Sequence, residues 1–528
     1  MWLSVLPAHQ SLGEQEAQAR YAAATHVGPR RIRAALFPES TEEVARILRS
    51  AQQDRVSVYP VSSGKNWGYG CTSPVVDDCV ILDLSRMSRI LAADRELGTV
   101  TLQPGVTQKI LAEWLDREAL PWMVPTNGGG PDCSIIGNAL ERGYGTNVVV
   151  DHCLSIQGLE AVLPDGRIWK TPFAQFGLPS LESGLRWGVG PYLGGLFSQS
   201  NFGVVTQATV RLAPRLAGAD TFFFFVKSAE LLPELARRLQ GIFADLGAMV
   251  PAIVVMNDRR ALSLSTEYPS RRSGLNGTLS RDEVAAYARM HRLSPWMGVG
   301  SLRGLPGIVK EARRHIRGVL GPLCTRMVFA QAGSTRLAHR LLGSLPIAAA
   351  QRWATKLDRM QHAHEVFQGR PDEVALRLPY WQTPQLWPKD RVPNPAVDGV
   401  GIYWYTAVVL GKADTMAAYA DWIERRLPDF GFEPFVSFVS NGEGSYLAPT
   451  PINFNRGDAD ACRRAVDAYH TLLEEGKTKG FFPYRTNPTS MSWLTSQSPE
   501  YWEVVASVKR ALDPNGILAP GRYCPDTR

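Results

Sequence analysis

Three glycine-rich loops in the first 150 residues constrain this chain most. Val61–Cys71 reads VSSGKNWGYGC and follows the short strand pattern VSVYP (56–60), while PTNGGGP (125–131) forms a second loop. A third loop contains Gly143 and Gly145, at the end of the predicted helix in IIGNALERGYG. Glycine lets backbone N–H groups approach an anion closely because no Cβ intervenes. A plain structural turn is the alternative for any one loop, but three together favour a cradle for a cofactor.

The remainder of residues 1–213 predicts an α+β domain. A capping box, Ser40 to Glu43, begins a helix over about 41–53, and a second helix is predicted over 106–120. Strand patterns occur at 79–84, 99–105, 158–163, 167–171 and 204–212. Because the strands are short and do not alternate regularly with helices, a doubly wound parallel sheet is disfavoured.

Two strand–helix–strand units follow residue 213. They are TFFFFV, a helix over 230–243 and AIVVM, then IYWYTAVVL, a helix over 415–427 and FVSFVS. They predict a second, antiparallel sheet backed by helices, with a helical region over 280–360 between them. Residues 480–528 return to a loop-rich pattern with one helix near 499–512. We therefore predict three parts, 1–213, 214–479 and 480–528.

Bulk properties exclude several classes of protein. A chain of 528 residues is long enough for two or three domains. Its net charge of +7 is spread along the chain, which disfavours a nucleic-acid partner. The seven cysteines form no CxxC pair, so reduced thiols are expected rather than disulfides or a zinc site. No signal peptide or apolar run of about 18 residues is seen, so we expect a cytoplasmic protein without a membrane segment.

Local motifs narrow the chemistry further. The first loop is neither GxxxxGK[ST] nor GxGxxG before a helix, which excludes P-loop and Rossmann interpretations. No GxSxG element supports a serine hydrolase. His362 and His364 diverge on a helix and lack a third ligand at suitable spacing, so no metal is predicted. Tyr484 and Arg485, in GFFPYRTNP, are suited to a shared anionic oxygen, although a surface arginine beside a packed tyrosine is the plainer interpretation.

The order of eight motifs resembles the vanillyl-alcohol oxidase/p-cresol methylhydroxylase family of 4-phenol-oxidising flavoproteins. These motifs are PVSSGKNWGYGC, VILDLSRMSRIL, LQPGVT, VPTNGGG, IIGNALERGYG, GPYLGGLFSQSNFGVVT, PYRTN and DPNGILAPGRYC. The resemblance covers most of residues 35–212 and 480–525 and is weak between them. It implies a two-part α+β FAD-binding domain with a central substrate cap of antiparallel sheet and helices.

The resemblance also implies roles for individual residues. Tyr69, Tyr484 and Arg485 match the catalytic residues that hold the substrate as a phenolate. Ionising a phenol pushes electron density toward its para carbon and so favours hydride loss to oxidised flavin. The implied cofactor-binding residues are Val61, Ser62, Ser63, Gly64, Lys65, Asn66, Trp67, Pro125, Thr126, Gly130, Gly137, Asn138, Gly143, Gly145, Gly203 and Val204.

Four departures from the family pattern carry information. Thr126 stands where family oxidases have an aspartate near the hydride-accepting nitrogen, so the usual base for activating water is missing. Asp132 lies nearby, either as a substitute base or as a loop-capping residue. Thr146 replaces a tyrosine that supports the pocket. Gly401 matches the histidine that links flavin covalently in the oxidases, so we predict non-covalent FAD.

We therefore predict an FAD-dependent oxidoreductase that oxidises the side chain of a para-substituted phenol or phenol-like aromatic by hydride transfer. With Thr126 in place of aspartate, desaturation or capture by a nucleophile within the substrate is favoured over hydration, as in a tailoring enzyme of specialised metabolism. The alternatives are an FAD-dependent oxidase of a non-phenolic alcohol or sugar, and a redox-inactive flavin-binding protein. Oxygen or a redox protein is the expected electron acceptor, and a homodimer is the expected assembly.

Overall fold

The computed structural model describes residues 5–146, 148–269, 272–331, 361–384, 387–388, 390–441 and 444–526. Part of the helical region predicted over 280–360 lies outside these residues. The α+β class predicted from the sequence is confirmed, because the described residues form helices packed on separate parallel and antiparallel sheets.

The first sheet is small and mainly parallel. Its strands are β1 (Ser11–Leu12), β2 (Ile32–Leu36), β3 (Val58–Val61) and β4 (Cys79–Asp83), in the order β1-β2-β4-β3. Strands β2, β4 and β3 are parallel, which requires crossover connections such as helix Thr41–Asp54. This helix begins where the capping box predicted, with the Ser40 hydroxyl accepting from the Glu43 amide. The glycine loop leaves the carboxyl end of β3.

The second sheet is antiparallel and covers the other glycine loops. Its order is β5-β6-β10-β8-β9, with a separate two-stranded ribbon of β7 and β11. These strands are β5 (Ile90–Asp94), β6 (Thr99–Leu102), β7 (Trp122–Met123), β8 (Ile156–Val162), β9 (Ile168–Lys170), β10 (Val204–Arg211) and β11 (Ala213–Pro214). The helices of this region are Gln108–Arg117, Ile135–Leu140 and Pro172–Gln175, whereas helix Glu14–Tyr21 packs on the first sheet.

The third sheet is a seven-stranded antiparallel sheet in the order β15-β12-β14-β13-β17-β18-β16. Both predicted strand–helix–strand units contribute to it, which confirms the predicted central sheet backed by helices. Its strands are β12 (Gly218–Val226), β13 (Ile253–Asn257), β14 (Trp296–Gly304), β15 (Cys324–Gln331), β16 (Val400–Leu410), β17 (Ser437–Ser440) and β18 (Ser445–Asn455).

The helical region predicted over 280–360 is confirmed only in part among the described residues. Helices Arg281–His291 and Pro306–Leu320 form, but β14 and β15 lie between and after them. In β14, a Cβ on Gly298 would lie 1.9 Å from the Phe224 ring and one on Gly300 2.4 Å from the Phe222 ring. The glycines of WMGVGSLRG therefore leave room for aromatic side chains of β12, a reason that cannot be read within the segment itself.

Helices cover one face of the third sheet, and its other face is directed toward the glycine loops. The main covering helices are Leu232–Leu246, Pro306–Leu320, Ala413–Arg426 and Ala459–Thr478, and shorter ones span Asp258–Ser265 and Arg377–Trp381. Side chains alternate between faces along a strand. Ile253 and Val255 are buried in the helical core, whereas Val254 and Met256 line a cavity on the opposite face.

After the third sheet and its helices, which together form the cap (214–479), the chain returns to the first sheet. Leu518 forms a parallel bridge with Val58, whose amide donates to Ile517 and whose carbonyl accepts from Ala519. Helices Met491–Thr495 and Pro499–Leu512 precede this return. We propose to keep the division at 1–213, 214–479 and 480–528, since the sheets change close to these boundaries.

A buried ion pair anchors the returning segment. The Lys509 ammonium lies 2.7 Å from the Asp513 carboxylate and donates to the carbonyls of Asn201 and Leu518. Both side chains of the pair are almost fully buried. Removing one charge would leave the other desolvated and unpaired, which costs far more than losing an exposed ion pair.

We expect Lys509→Met to lower the free energy of unfolding by roughly 3–5 kcal/mol. Arg510→Met is the matched control, since Arg510 is exposed and pairs with Glu503 at the surface. Thermal midpoints of both variants, measured with bound cofactor, provide the comparison. Equal midpoints for the two variants would contradict an anchoring role for Lys509.

Candidate active site

One cavity of about 430 Å³ lies where the three sheets meet. Residues from every part of the chain line it, which is typical of a small-molecule site. Most of the predicted site residues are on its wall: Val61, Ser62, Ser63, Gly64, Lys65, Asn66, Trp67, Tyr69, Gly137, Asn138, Gly143, Gly203, Val204 and Arg485. Pro125, Thr126, Gly130, Gly145 and Tyr484 are not on this wall.

The first loop presents unpaired backbone donors to the cavity. Among the described residues, no group accepts a hydrogen bond from the backbone N–H groups of Ser63 to Asn66. Gly64 has a φ of +67°, and a Cβ on Gly137 would lie 2.4 Å from the Ser62 hydroxyl. Unpaired amides beside glycines that allow close approach form a concave anion site. This cradle fits the diphosphate of FAD.

Side-chain contacts hold the first loop against the second. The Trp67 indole N–H donates to the Gly129 carbonyl at 3.0 Å, and the Ser63 hydroxyl accepts from the Ser134 amide at 3.0 Å. The Lys65 ammonium lies 5.3 Å from the centre of the Trp67 ring. Trp67, which the resemblance implies as a cofactor-binding residue, therefore joins two glycine loops as well as lining the cavity.

The predicted anion-binding residues come together, with Tyr69 and Arg485 on the cavity wall and Tyr484 beside them. The Arg485 guanidinium carbon lies 3.7 Å from the centre of the Tyr69 ring and 5.3 Å from that of Tyr484. Neither the Tyr484 hydroxyl nor the Arg485 Nε atom, both buried, has a hydrogen-bond partner among the described residues. Burial raises the pKa of Tyr484 well above its ordinary value, so this phenol is a neutral donor. Buried donors without acceptors favour an anionic ligand here.

The cap contributes directly to this part of the site. The Tyr69 hydroxyl lies 2.7 Å from the Thr406 hydroxyl of β16. At Gly68, whose φ is +75°, a Cβ would lie 2.2 Å from the Trp404 ring. Only glycine allows Trp404 to approach the loop this closely, so the loop and the cap strand are fitted to each other.

Sequence reasoning missed three residues of this region. Tyr144 lines the cavity, and its ring centre lies 5.8 Å from that of Tyr484. Arg522 also lines it, donates to the Tyr59 hydroxyl at 2.9 Å and forms an ion pair with Glu141. Tyr144 lies between Gly143 and Gly145 of the third glycine loop, and its place in that loop could have indicated that it lines the cavity. For Glu141 and Arg522, far apart in the chain, there was none.

Thr126 and Asp132, the two positions considered for the base that activates water, both lie away from the cavity wall. The Thr126 hydroxyl donates to the Val366 carbonyl at 3.1 Å and is not on the cavity wall. Asp132 is not on the wall either. Thr146, the position matched to a family tyrosine, does line the cavity, two residues after Tyr144.

Position 401 points away from the cavity. Ile402 and Trp404 of β16 are on the wall, so by alternation Gly401 faces the helical core, where a Cβ would lie 2.3 Å from the Phe454 ring. A residue at 401 is therefore badly placed to bond to a flavin. Cys133 is on the wall, but burial raises the pKa of its thiol to about 12 and keeps it protonated.

The described residues contain no cluster of three or more histidine, cysteine, aspartate or glutamate side chains able to hold a metal ion. His364 instead contacts the Thr221 hydroxyl through Nδ1 at 3.0 Å, within a helical segment at 361–367. In the same part of the chain, no helix combines the length and apolar character needed to cross a bilayer.

Comparison with known proteins identifies the family. Residues 32–172 match the FAD binding domain family. The chain is 32% identical over 524 residues to 1'-carboxy-chondrochloren decarboxylase of Chondromyces crocatus, covering 98% of this chain and 94% of that protein. It is 23% identical over 499 residues to the 4-cresol dehydrogenase [hydroxylating] flavoprotein subunit of Pseudomonas putida, covering 93% and 87%. The chain belongs to the vanillyl-alcohol oxidase/p-cresol methylhydroxylase family.

Solved structures of this family share the complete fold. p-Cresol methylhydroxylase matches with a TM-score of 0.86 at 21% identity, over 99% of this chain and 96% of that one. 4-Ethylphenol oxidase from Gulosibacter chungangensis also matches at 0.86 and 21%, over 99% and 95%. The family, the fold and FAD as cofactor, all expected from the motifs, are thereby confirmed, and the protein is an FAD-dependent oxidoreductase of this type.

The cradle generates the first test of the cofactor site. We expect Gly137→Ala to reduce FAD affinity by about tenfold or more, because the new methyl group displaces Ser62 and closes the cradle. Ser62→Gly added to that variant should restore part of the affinity. Gly307→Ala is the control, since no atom lies within 4 Å of a Cβ there. Fluorescence titration of deflavinated protein with FAD measures the three affinities, and absence of rescue would contradict the steric explanation.

A second experiment tests whether the flavin is covalently bound to the protein. We expect acid precipitation of the holoprotein to leave the yellow flavin in the supernatant, because position 401 faces the core and the Cys133 thiol is protonated. A yellow pellet would contradict non-covalent binding and would point to another residue on the cavity wall.

Proposed function

We propose that this protein oxidises the side chain of a para-substituted phenol, or of a similar aromatic, by hydride transfer. The observation that carries the proposal is the cluster of Tyr69 and Arg485, both on the cavity wall, with Tyr484 packed beside Arg485. The Arg485 Nε atom and the buried Tyr484 hydroxyl lack acceptors among the described residues, and a phenolate oxygen would supply one. A sugar hydroxyl would leave the cation without a counter-charge.

The residues act on the substrate as electrostatic partners. Arg485 and the hydroxyls of Tyr69 and Tyr484 hold the ring oxygen as a phenolate, so electron density moves toward the para carbon. Bound FAD supplies the hydride acceptor. Removal of a hydride from the side-chain carbon next to the ring then leaves a neutral, electron-poor quinone methide. Burial of the cluster strengthens each of these electrostatic contacts because little water is present to screen the charges.

The fate of the quinone methide depends on whether a residue of the cavity wall can activate water as a base. Among the described residues on the cavity wall, Glu141 carries the one carboxylate, and it is paired with Arg522. With Thr126 turned toward Val366, no free carboxylate is placed to activate water. This supports desaturation or internal capture over hydration.

A second candidate is oxidative decarboxylation, favoured by the relative from Chondromyces crocatus that is named as a decarboxylase and matches nearly the whole chain. A carboxylate on the second side-chain carbon would suit the same chemistry. After hydride loss, its C–C bond breaks, CO2 leaves, and the electron pair forms a C=C bond while the ring returns to a phenolate. The step needs no protein base.

Other expectations remain part of the proposal. Oxygen or a redox protein reoxidises the flavin, and the protein works as a cytoplasmic homodimer. A tailoring role in specialised metabolism is supported by the relative named above. Oxidation of a non-phenolic alcohol or sugar, and flavin binding without redox chemistry, are the competing outcomes of the following test.

We expect Arg485→Ala to slow anaerobic flavin reduction by 4-alkylphenols by about 100-fold or more, because the phenolate loses its cation. Bound FAD should be retained. Arg167→Ala is the control, an exposed arginine paired with Asp165. Stopped-flow absorbance of the flavin measures the rates. Unchanged turnover of the preferred substrate would favour a non-phenolic alcohol, and a wild-type flavin that no phenol bleaches would favour the redox-inactive alternative.

A further inference from the structure

Besides Arg485 and Arg522, a third arginine, Arg260, lines the cavity, and it comes from the cap. Arg260 lies in the first turn of helix Asp258–Ser265, where its amide donates to the capping Asn257 side chain at 3.1 Å. Its side chain lines the same cavity as Tyr69 and Arg485, beside Val254 and Met256 of β13. The helix cap therefore fixes the backbone from which this guanidinium enters the substrate side of the site.

Arg260 has no anionic partner among the described residues. No carboxylate lies within 4 Å of its guanidinium, and its one side-chain hydrogen bond is a long contact of 3.4 Å from Nη1 to the Ser263 hydroxyl. Burial lowers its pKa to about 10, so it is still a cation at neutral pH. Arg260 is partly buried, and a cation in that setting without a counter-charge favours an anionic ligand.

The adjacent Arg259 makes the contrast clear. It is buried in an ion pair with Glu433 and donates to the Leu279 carbonyl at 2.8 Å. That arginine is a structural group of the cap. Arg260 follows it directly, yet its guanidinium is directed to the cavity instead of to a protein carboxylate.

Two other partners for Arg260 are disfavoured. Tyr144 is close enough to interact with it electrostatically, but burial raises the pKa of that phenol, so it supplies no charge. The diphosphate of FAD is expected at the cradle of Ser63 to Asn66, where unpaired backbone amides would bind it. The remaining anion is one carried by the substrate itself.

We propose that Arg260 binds a carboxylate on the substrate side chain. The inference rests on the proposed function, since Arg485 and its tyrosines hold the phenolate and leave Arg260 for a second anionic group. The substrate class is thus a phenol whose para side chain ends in a carboxylate. A planar guanidinium is suited to such a group because it donates two parallel hydrogen bonds.

The test compares acids with neutral amides of the same shape. The probes are 4-hydroxyphenylacetate, 3-(4-hydroxyphenyl)propanoate and 4-(4-hydroxyphenyl)butanoate, each beside its primary amide. Binding to oxidised holoenzyme is measured by the change in flavin absorbance and by calorimetry, and anaerobic flavin reduction is followed separately. Wild type should bind at least one acid about tenfold or more tightly than its amide.

Arg260→Met should abolish the acid-to-amide preference, and Arg260→Lys should keep part of it. Arg281→Met is the control, an exposed arginine of the cap paired with Glu424, and should leave the preference as in wild type. A wild type without preference for any acid, or a preference that survives Arg260→Met, overturns the inference.

Anaerobic flavin reduction distinguishes failure of the proposed phenol oxidation from failure of the carboxylate site. If acids bind with a preference that depends on Arg260 but no probe bleaches the flavin, the carboxylate site stands and phenol oxidation fails. If the phenols bleach the flavin and Arg260 has no effect on acid over amide, phenol oxidation stands and the carboxylate site fails.

Discussion

Unpaired backbone amides in the first glycine loop are the constraint around which the rest of the molecule is arranged. Buried N–H groups are nearly always paired, and those of Ser63 to Asn66 have no partner among the described residues. The surrounding contacts keep the loop open instead of letting it collapse. Trp67 and Ser63 tie it to the second loop, while Gly137 leaves the space into which Ser62 points. Bound FAD is expected to stabilise the protein because it satisfies these donors.

The same loop couples cofactor binding to substrate binding. Three residues after the cradle, Tyr69 stacks against Arg485 and contacts Thr406 of the cap, and Gly68 is fitted to Trp404. A shift of the loop would therefore move the residues proposed to hold the phenolate. Pro488 adds to this restraint, lying 2.6 Å from where a Cβ on Gly70 would be. Rigid positioning of this kind is what electrostatic catalysis requires.

Local patterns predicted much of the FAD-binding part. The capping box at Ser40 gave a correct helix start, and the glycine loops gave part of the cavity wall, because both signals act within a few residues. Partners distant in the chain were not predictable. β14 was placed in a helical region because the aromatic ring that requires Gly298 lies on a different strand, β12. Gly401 could be matched to a family histidine, but the alternation of side chains along β16 directs this position toward the core. Arg259 and Arg260 are adjacent and identical in type, so only the fold separates the structural one from the one on the cavity wall.

The return of the chain to β3 has a consequence for biosynthesis. Ile517 to Ala519 pair with Val58 along the open edge of β3, and Arg485 and Arg522 reach the cavity only after the whole cap has been made. While a ribosome is still translating the cap, the edge of β3 is exposed and the cofactor cavity lacks one wall. Exposed strand edges invite wrong pairing, so the nascent chain carries an unprotected edge until residues 517–519 have been made and can pair with Val58.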